Sequence, residues 1–206
     1  MSAIDGLFYI IILIMSVVIH EVMHGFAAEY FGDHTARHAG RLTLNPIAHI
    51  DLFGSIILPA VLFISKAPFL FGWAKPVPYN PENLTNRRWG TIAVAVAGVA
   101  ANFLIAIIFG LIIRFSIAFN LPEGFYTITS TIVIVNLALG LFNLVPIPPL
   151  DGSKILFSLL PYSFYKVIGL IERYGFIFLL VFIVYFSDIL FPILTYLFHL
   201  LTGLAF

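Results

Sequence analysis

The chain has 206 residues, of which 61% are hydrophobic and 10% charged, with ten basic and ten acidic side chains and a formal net charge of zero. A soluble domain carries roughly a quarter charged residues, so this chain, with a mean hydropathy of +1.07, cannot cover a water-facing surface but can cover a lipid-facing one. The even charge leaves no basic patch for nucleic acid, and the absence of cysteine excludes disulfides and thiolate metal sites.

A spanning helix needs about 20 mostly apolar residues. The first predicted helix runs from Ile4 to Phe31 and carries His20, Glu21 and His24 past its middle. Its apolar run Leu7 to Ile19 follows no Lys or Arg and precedes no small-residue cleavage site, so it is expected to be retained and not removed as a secretory signal. A polar stretch follows, Gly32 to Asp51, in which Gly40 to Leu44 has strand character and Asn45-Pro46 marks a turn. Leu52 to Phe71 is apolar but interrupted by Ser65, Lys66 and Pro68, and its clean run, Phe53 to Ile64, is too short to span. After the polar, proline-rich Gly72 to Trp89, spanning helices are expected at Gly90 to Phe119, Tyr126 to Val145, Phe164 to Phe186 and Ile189 to Leu204. Ile147 to Gly152 forms a proline-rich break between the middle two.

The expected fold is therefore an all-α polytopic membrane protein forming one domain over residues 1–206. It would have about five spanning helices, a re-entrant segment and a short membrane-associated β element. Its core would cover residues 4–160, with the C-terminal helices at 164–204.

Loop charge sets the orientation. Arg37, Arg41, Lys75, Arg87, Arg88, Lys154 and Lys166 fall in three segments, whereas the amino terminus and the turn Asn120 to Phe125 hold no basic residue. This predicts a multi-pass protein of the cell membrane with its amino terminus outside and the basic segments in the cytosol. Leu52 to Phe71 must then enter the membrane and return on the same side.

The strongest chemical motif is His20-Glu21-Val22-Met23-His24. Two His at i and i+4 share a helical face and can direct ring nitrogens at one ion, while the adjacent Glu can serve as general base on a water that the metal activates. Three ionisable residues within five positions of a membrane helix need a common reason, and a cation supplies one. Haem would not need Glu21 and would need an axial ligand on another helix, for which His34, His38, His49 and His199 are poorly placed.

A catalytic zinc takes three protein ligands and leaves one position open. Glu29, at the helix end, is too far along the helix; Asp33 and Asp51 read as loop or capping carboxylates. Asp151 follows a spanning helix and a run of prolines, with Gly152 behind it, which allows a tight turn. It meets the His pair only if Leu52 to Phe71 does not cross the membrane. Asn102 and Asn143 can be interhelical hydrogen-bonding residues, and Asn143 can also be a donor that steadies charge on a scissile carbonyl. Gly98 shares a helical face with Asn102, where a small residue permits close approach. Asn136 is assigned to packing.

Together these residues resemble the site-2 protease family of intramembrane zinc metalloproteases. The resemblance rests on His20 to His24, on Ala97-Gly98-x-x-x-Asn102, and on Asn143-x-x-Pro146-x-x-x-Leu150-Asp151-Gly152. Gly40 to Pro46 and Gly72 to Pro78 also look like the compact bacterial and archaeal members, and the likeness covers about residues 16 to 160. It implies one zinc per chain bound by His20, His24 and Asp151, a water-activating Glu21, and an Asn143 that stabilises the tetrahedral intermediate. It implies cleavage of transmembrane protein substrates within the lipid bilayer, near the cytosolic side. Three departures from the pattern are expected: an additional helix before the motif-bearing one, found in some members, would be missing, there would be no room for a peptide-binding domain between helices, and Val99 stands where Pro is frequent. Pairing of an extended substrate with the Gly40 to Leu44 edge is a further expectation. Two other classes remain open, a transporter using these groups as an ion path and a non-catalytic zinc scaffold; Glu21 is superfluous to the latter.

Overall fold

A computed structural model of the chain describes residues 3–66, 72–119 and 121–206. In chain order its α-helices are α1 (Ala3–Tyr30), α2 (Thr35–His38), α3 (Leu58–Ile64), α4 (Arg87–Ser116), α5 (Glu123–Asn143), α6 (Asp151–Leu159), α7 (Tyr165–Tyr185) and α8 (Leu190–Thr202). Among the described residues, four helices, in α1, α4, α5 and α7, are long and apolar enough to cross a membrane. Their outward faces carry exposed Leu, Ile, Val and Phe side chains, such as Ile10, Leu104, Phe115 and Ile177. A bilayer-facing surface can be that apolar, since lipid and core solvate it equally well.

The centre of the bundle is α1, α4 and α5, each antiparallel to the one before. Ser16, His20 and His24 of α1 meet Asn102, Gly98 and Val94 of α4 in descending order. Along the α4–α5 pair, Asn102 meets Asn136, Phe103 packs near Gly140, and the Tyr126 hydroxyl donates to the Ser116 carbonyl. Small residues let these helices approach closely: Ala95, Gly98 and Ala106 of α4 are all buried.

Everything between α1 and α4 begins and ends at one end of the bundle. The Thr85 N–H donates to the Phe31 carbonyl at 2.8 Å, closing the excursion. Within it, Leu52–Ile57 forms a π-helical turn that leads into α3. The Trp73 N–H then donates to Gly54 O at 3.1 Å, and the Ser55 hydroxyl donates back to Trp73 O at 2.8 Å. The chain thus leaves and returns on the same side, and Asp151 emerges at the end of the bundle that holds the His pair. Ala67 to Phe71 of the expected re-entrant segment, and Asn120 of the basic-free turn, lie outside the described residues.

Two expectations differ from the structure. The fifth predicted span, Ile189 to Leu204, yields a helix of only 13 residues, about 20 Å long against the roughly 30 Å of a hydrocarbon core. It packs Leu194 and Phe198 onto Ala106, Ile113, Val133 and Leu137 of α4 and α5. The expected β element is also not formed: there is no strand among the described residues, and Gly40 to Leu44 is irregular. Gly40 turns the chain at φ +65. Arg41 then donates to the carbonyls of Lys75 and Pro76. The facing run contains Pro76 and Pro78, which have no N–H to build a ladder.

Candidate active site

His20 and His24 come together because four residues of helix place them one turn apart on one face, and α4 has nothing but hydrogen at Gly98 opposite them. A Cβ on Gly98 would lie 2.5 Å from His24 Cε1 and 2.8 Å from His20 Cε1. Asp151 reaches the pair from the first turn of α6. Its approach requires Gly152, where a Cβ would meet the Leu144 carbonyl oxygen at 2.2 Å.

The three side chains form a buried triangle. His20 Nε2 and His24 Nε2 are 3.0 Å apart, and Asp151 Oδ2 lies 3.1 Å from each. His20 Nδ1 faces Asn102 Oδ1 at 2.6 Å, and His24 Nδ1 faces the Val94 carbonyl at 2.7 Å. With an oxygen against each Nδ1, the proton of each neutral ring sits there and both Nε2 atoms are bare. Three lone-pair atoms therefore converge in a site where all three residues are at least nine-tenths buried.

The donor set fits zinc. Nitrogen and carboxylate bonds of about 2.0–2.2 Å in tetrahedral geometry place ligands roughly 3.3–3.6 Å apart, within a few tenths of an ångström of the separations seen. An oxygen accepting from Nδ1, as the Asn102 side chain and the Val94 carbonyl do here, is the usual companion of a metal-binding imidazole. Burial alone would raise the Asp151 carboxyl, whereas the Lys154 ammonium beside it acts in the opposite direction and favours the carboxylate. Lys154 is kept cationic, against the effect of burial, by Asp151 and by Tyr79.

Glu21 points to the same place. One of its carboxylate oxygens lies within 4.8 Å of ring nitrogens of both His. Its Oε2 accepts the Val77 N–H at 2.8 Å, so the segment returning from Trp73 orients it. A cavity of about 610 Å³ opens over the triangle, lined by Glu21, Trp73, Tyr79, Asn143, Lys154 and Phe176 among others. Asn143 ends α5, and its Nδ2 donates to the Leu139 carbonyl at 3.0 Å, which leaves its second N–H for another acceptor.

Seven residues singled out in the sequence thus converge: His20, Glu21, His24, Gly98, Asn102, Asn143 and Asp151. Other candidates lie elsewhere. Glu29 pairs with Arg37, Asp33 is buried in a loop network, and Asp51 caps the turn at Gly54. His49 bonds the Thr43 carbonyl and His199 the Leu204 carbonyl. The sequence reading missed Val77 as the partner of Glu21 and Lys154 as the partner of Asp151. It also assigned Asn136 to packing, whereas Asn136 bonds Asn102 and Ser16. A visible sign was Ser16, His20 and His24 at i, i+4 and i+8 on one face of α1.

Comparison with known proteins places this geometry. The model of peptidase family M50 matches residues 117–184, a stretch that includes Asn143 and Asp151. The chain is 38% identical over 180 residues to YwhC of Bacillus subtilis, a protein whose name describes it as a zinc metalloprotease; the match covers 84% of this chain and 78% of YwhC. It is 30% identical over 183 residues to Rip2 of Mycolicibacterium smegmatis, similarly named, covering 87% of this chain and 68% of Rip2. It is also 26% identical over 152 residues to zinc metalloprotease MJ0392 of Methanocaldococcus jannaschii, covering 73% of this chain and 33% of that protein. No solved structure matches. Resemblance in the motifs, geometry of the donors and similarity along most of the chain agree, and the chain belongs to the site-2 protease family of zinc metalloproteases, peptidase family M50.

Proposed function

We propose that this chain hydrolyses peptide bonds in or near transmembrane helices of other membrane proteins, close to the cytosolic side, with one zinc per chain. The observation that carries the reading is the position of the His–His–Asp triangle, buried among apolar helices beneath a cavity that Glu21 faces. His24 lies six residues before the last residue of α1, Tyr30, or about 9 Å along the helix. This depth suits a substrate that is itself in the membrane.

His20, His24 and Asp151 would hold the zinc, which would supply Lewis acidity at the site. Glu21 takes the proton of the attacking water, its carboxylate aimed by the Val77 N–H. It can then deliver that proton to the leaving amine. The free N–H of Asn143 donates to the oxygen on which negative charge develops. A substrate helix must unwind locally before its carbonyls are accessible, and the cavity between Tyr79, Trp73 and Phe176 gives the extended strand a place. The basic residues at the site end support a cytosolic site and an external amino terminus, with the apolar run Phe53 to Ile64 dipping into the bilayer.

The test pairs metal content with cleavage of a tagged model transmembrane substrate, using purified wild type and Glu21→Gln. The expected result is about one zinc per chain in both proteins and cleavage in the wild type alone. Zinc retained with equal cleavage in both would overturn the role of Glu21. Zinc retained with no cleavage of any of several membrane substrates by the wild type would overturn the proposed substrate class.

A further inference from the structure

The tautomer of His20 depends on which end of the Asn102 amide faces it, and Asn102 cannot decide this alone. An amide turned by half a rotation would present Nδ2 to His20 Nδ1 and move the ring proton to Nε2, where it would block the ion. The deciding contact lies two residues further on. Asn136 of α5 faces the Ile132 carbonyl at 2.9 Å and the Ser16 hydroxyl at 2.9 Å. A carbonyl only accepts, so the Asn136 atom against Ile132 is the nitrogen, and its Oδ1 turns to Asn102 at 2.9 Å. Asn102 must answer with its own nitrogen, which also lies 3.4 Å from the Ser16 carbonyl. Its oxygen is thereby committed to His20 Nδ1 at 2.6 Å. Asn102 and Asn136 have no solvent exposure and Ser16 very little, so no water competes for these groups at the surface.

We propose that Asn136 is a positioning residue for the zinc site: acting through Asn102, it fixes the neutral His20 ring with its proton on Nδ1 and Nε2 bare. The relay runs from the backbone of α5 through α4 to α1, so the three central helices must be docked before the ligand is set. The inference rests on the zinc site described above but not on the substrate class, and its test needs no cleavage.

The experiment is zinc affinity by chelator competition, with nitrogen NMR of the His20 ring in the zinc-free protein. It uses the full chain as wild type, Asn136→Ala, Asn102→Asp and the double variant. Asn136→Ala leaves the Asn102 amide oriented only by the long 3.4 Å contact to the Ser16 carbonyl and should lower affinity by about tenfold or more, the scale of such losses at groups that hold a metal ligand. The zinc-free NMR should then show His20 no longer confined to the Nδ1-protonated form. Asn102→Asp alone sets two oxygens face to face at Asn136 and should also bind zinc more weakly. In the double variant that clash is gone, the carboxylate offers His20 an oxygen in either orientation, and the space left by Ala can admit a water. The double variant should therefore bind zinc more tightly than either single, with the Nδ1 proton restored. Packing alone predicts the reverse, a double variant weaker than both. That outcome, or an unchanged affinity and tautomer in Asn136→Ala, overturns the proposal. Where a single variant folds poorly, the double is read directly against the wild type: recovery to within about tenfold supports the relay and a larger loss overturns it.

Discussion

Gly98 of α4 stands directly behind the His24 imidazole, so that a Cβ at Gly98 would lie 2.5 Å from His24 Cε1 and 2.7 Å from its Nε2. Such separations are well inside van der Waals contact, and His20 Cε1 is only slightly further away at 2.8 Å. The rings cannot retreat without giving up the Asn102 and Val94 hydrogen bonds that aim them. Gly98→Ala should therefore push both Nε2 atoms out of the triangle and lower zinc affinity by about tenfold or more. The helix itself should tolerate the change, because Ala is favoured over Gly in a helix interior by roughly 0.5–1 kcal/mol. Chelator competition and thermal unfolding of the zinc-free protein in detergent separate the two effects. Wild-type zinc affinity in Gly98→Ala would refute the close approach.

The residues proposed as ligands and base were legible as a group because each sits inside a local motif: His20, Glu21 and His24 on one helix turn, Asp151 behind a proline run. The expectation that these motifs meet came from topology, in which the apolar run Phe53 to Ile64 is too short to cross a bilayer. The partners of those residues were not legible. Val77 contributes a backbone N–H, which every non-proline residue has, so nothing in its identity reports the bond to Glu21. Asn136 was discounted because an isolated Asn in an apolar helix is equally consistent with any interhelical hydrogen bond; only the three-helix register reveals which one. The strand expected at Gly40 to Leu44 reflected β-forming residues without regard to what faced them, and a proline-rich neighbour cannot complete a ladder. In α8, hydropathy along Ile189 to Leu204 overstated the helix, which the turn at Ser187–Ile189 starts late and Gly203, at φ +76, ends.

Lys154 gives a second test of how the ligand set is arranged. Its Nζ lies 3.0 Å from Asp151 Oδ1, while Oδ2 faces both imidazoles. With the proposed zinc in place, occupying Oδ1 would confine the carboxylate to one ligating oxygen and so keep the open position that a catalytic zinc site needs. Lys154→Met retains the apolar stem but releases Oδ1. Cobalt-substituted Lys154→Met should then show weaker visible bands than the wild type, as Oδ1, a fourth protein ligand atom, raises the coordination number and reduces the tetrahedral character. Cleavage should fall by about tenfold or more, and Lys154→Arg, which keeps a cationic donor, should recover much of both. Bands of wild-type strength in Lys154→Met would count against any such role.

Asp33 ties the end of α1 to the segment that carries Val77, and its protonation gives the fold a measurable acid sensitivity. Its carboxylate is buried and accepts from the Thr35 N–H at 3.2 Å, the Thr35 hydroxyl at 2.5 Å, the Asn80 N–H at 2.6 Å and Asn83 Nδ2 at 2.8 Å. Burial acting alone would raise its pKa, but these donors outweigh it and leave it below the ordinary 3.8. A carboxyl whose pKa is depressed on folding stabilises the native state fully above its unfolded value, and the contribution is lost as pH falls through the folded value. Asp33→Ala strands several donors and should cost about 1–3 kcal/mol at pH 7. That gap to the wild type should narrow as the pH falls below 3.8. Because Asn80 and Asn83 follow Val77 closely, the variant should also loosen the hold on Glu21, lowering cleavage at neutral pH while zinc content is preserved. Thermal unfolding in detergent across an acid series, read beside zinc content, checks both parts; a stability gap that stays constant down to strong acid would show that the Asp33 charge contributes nothing.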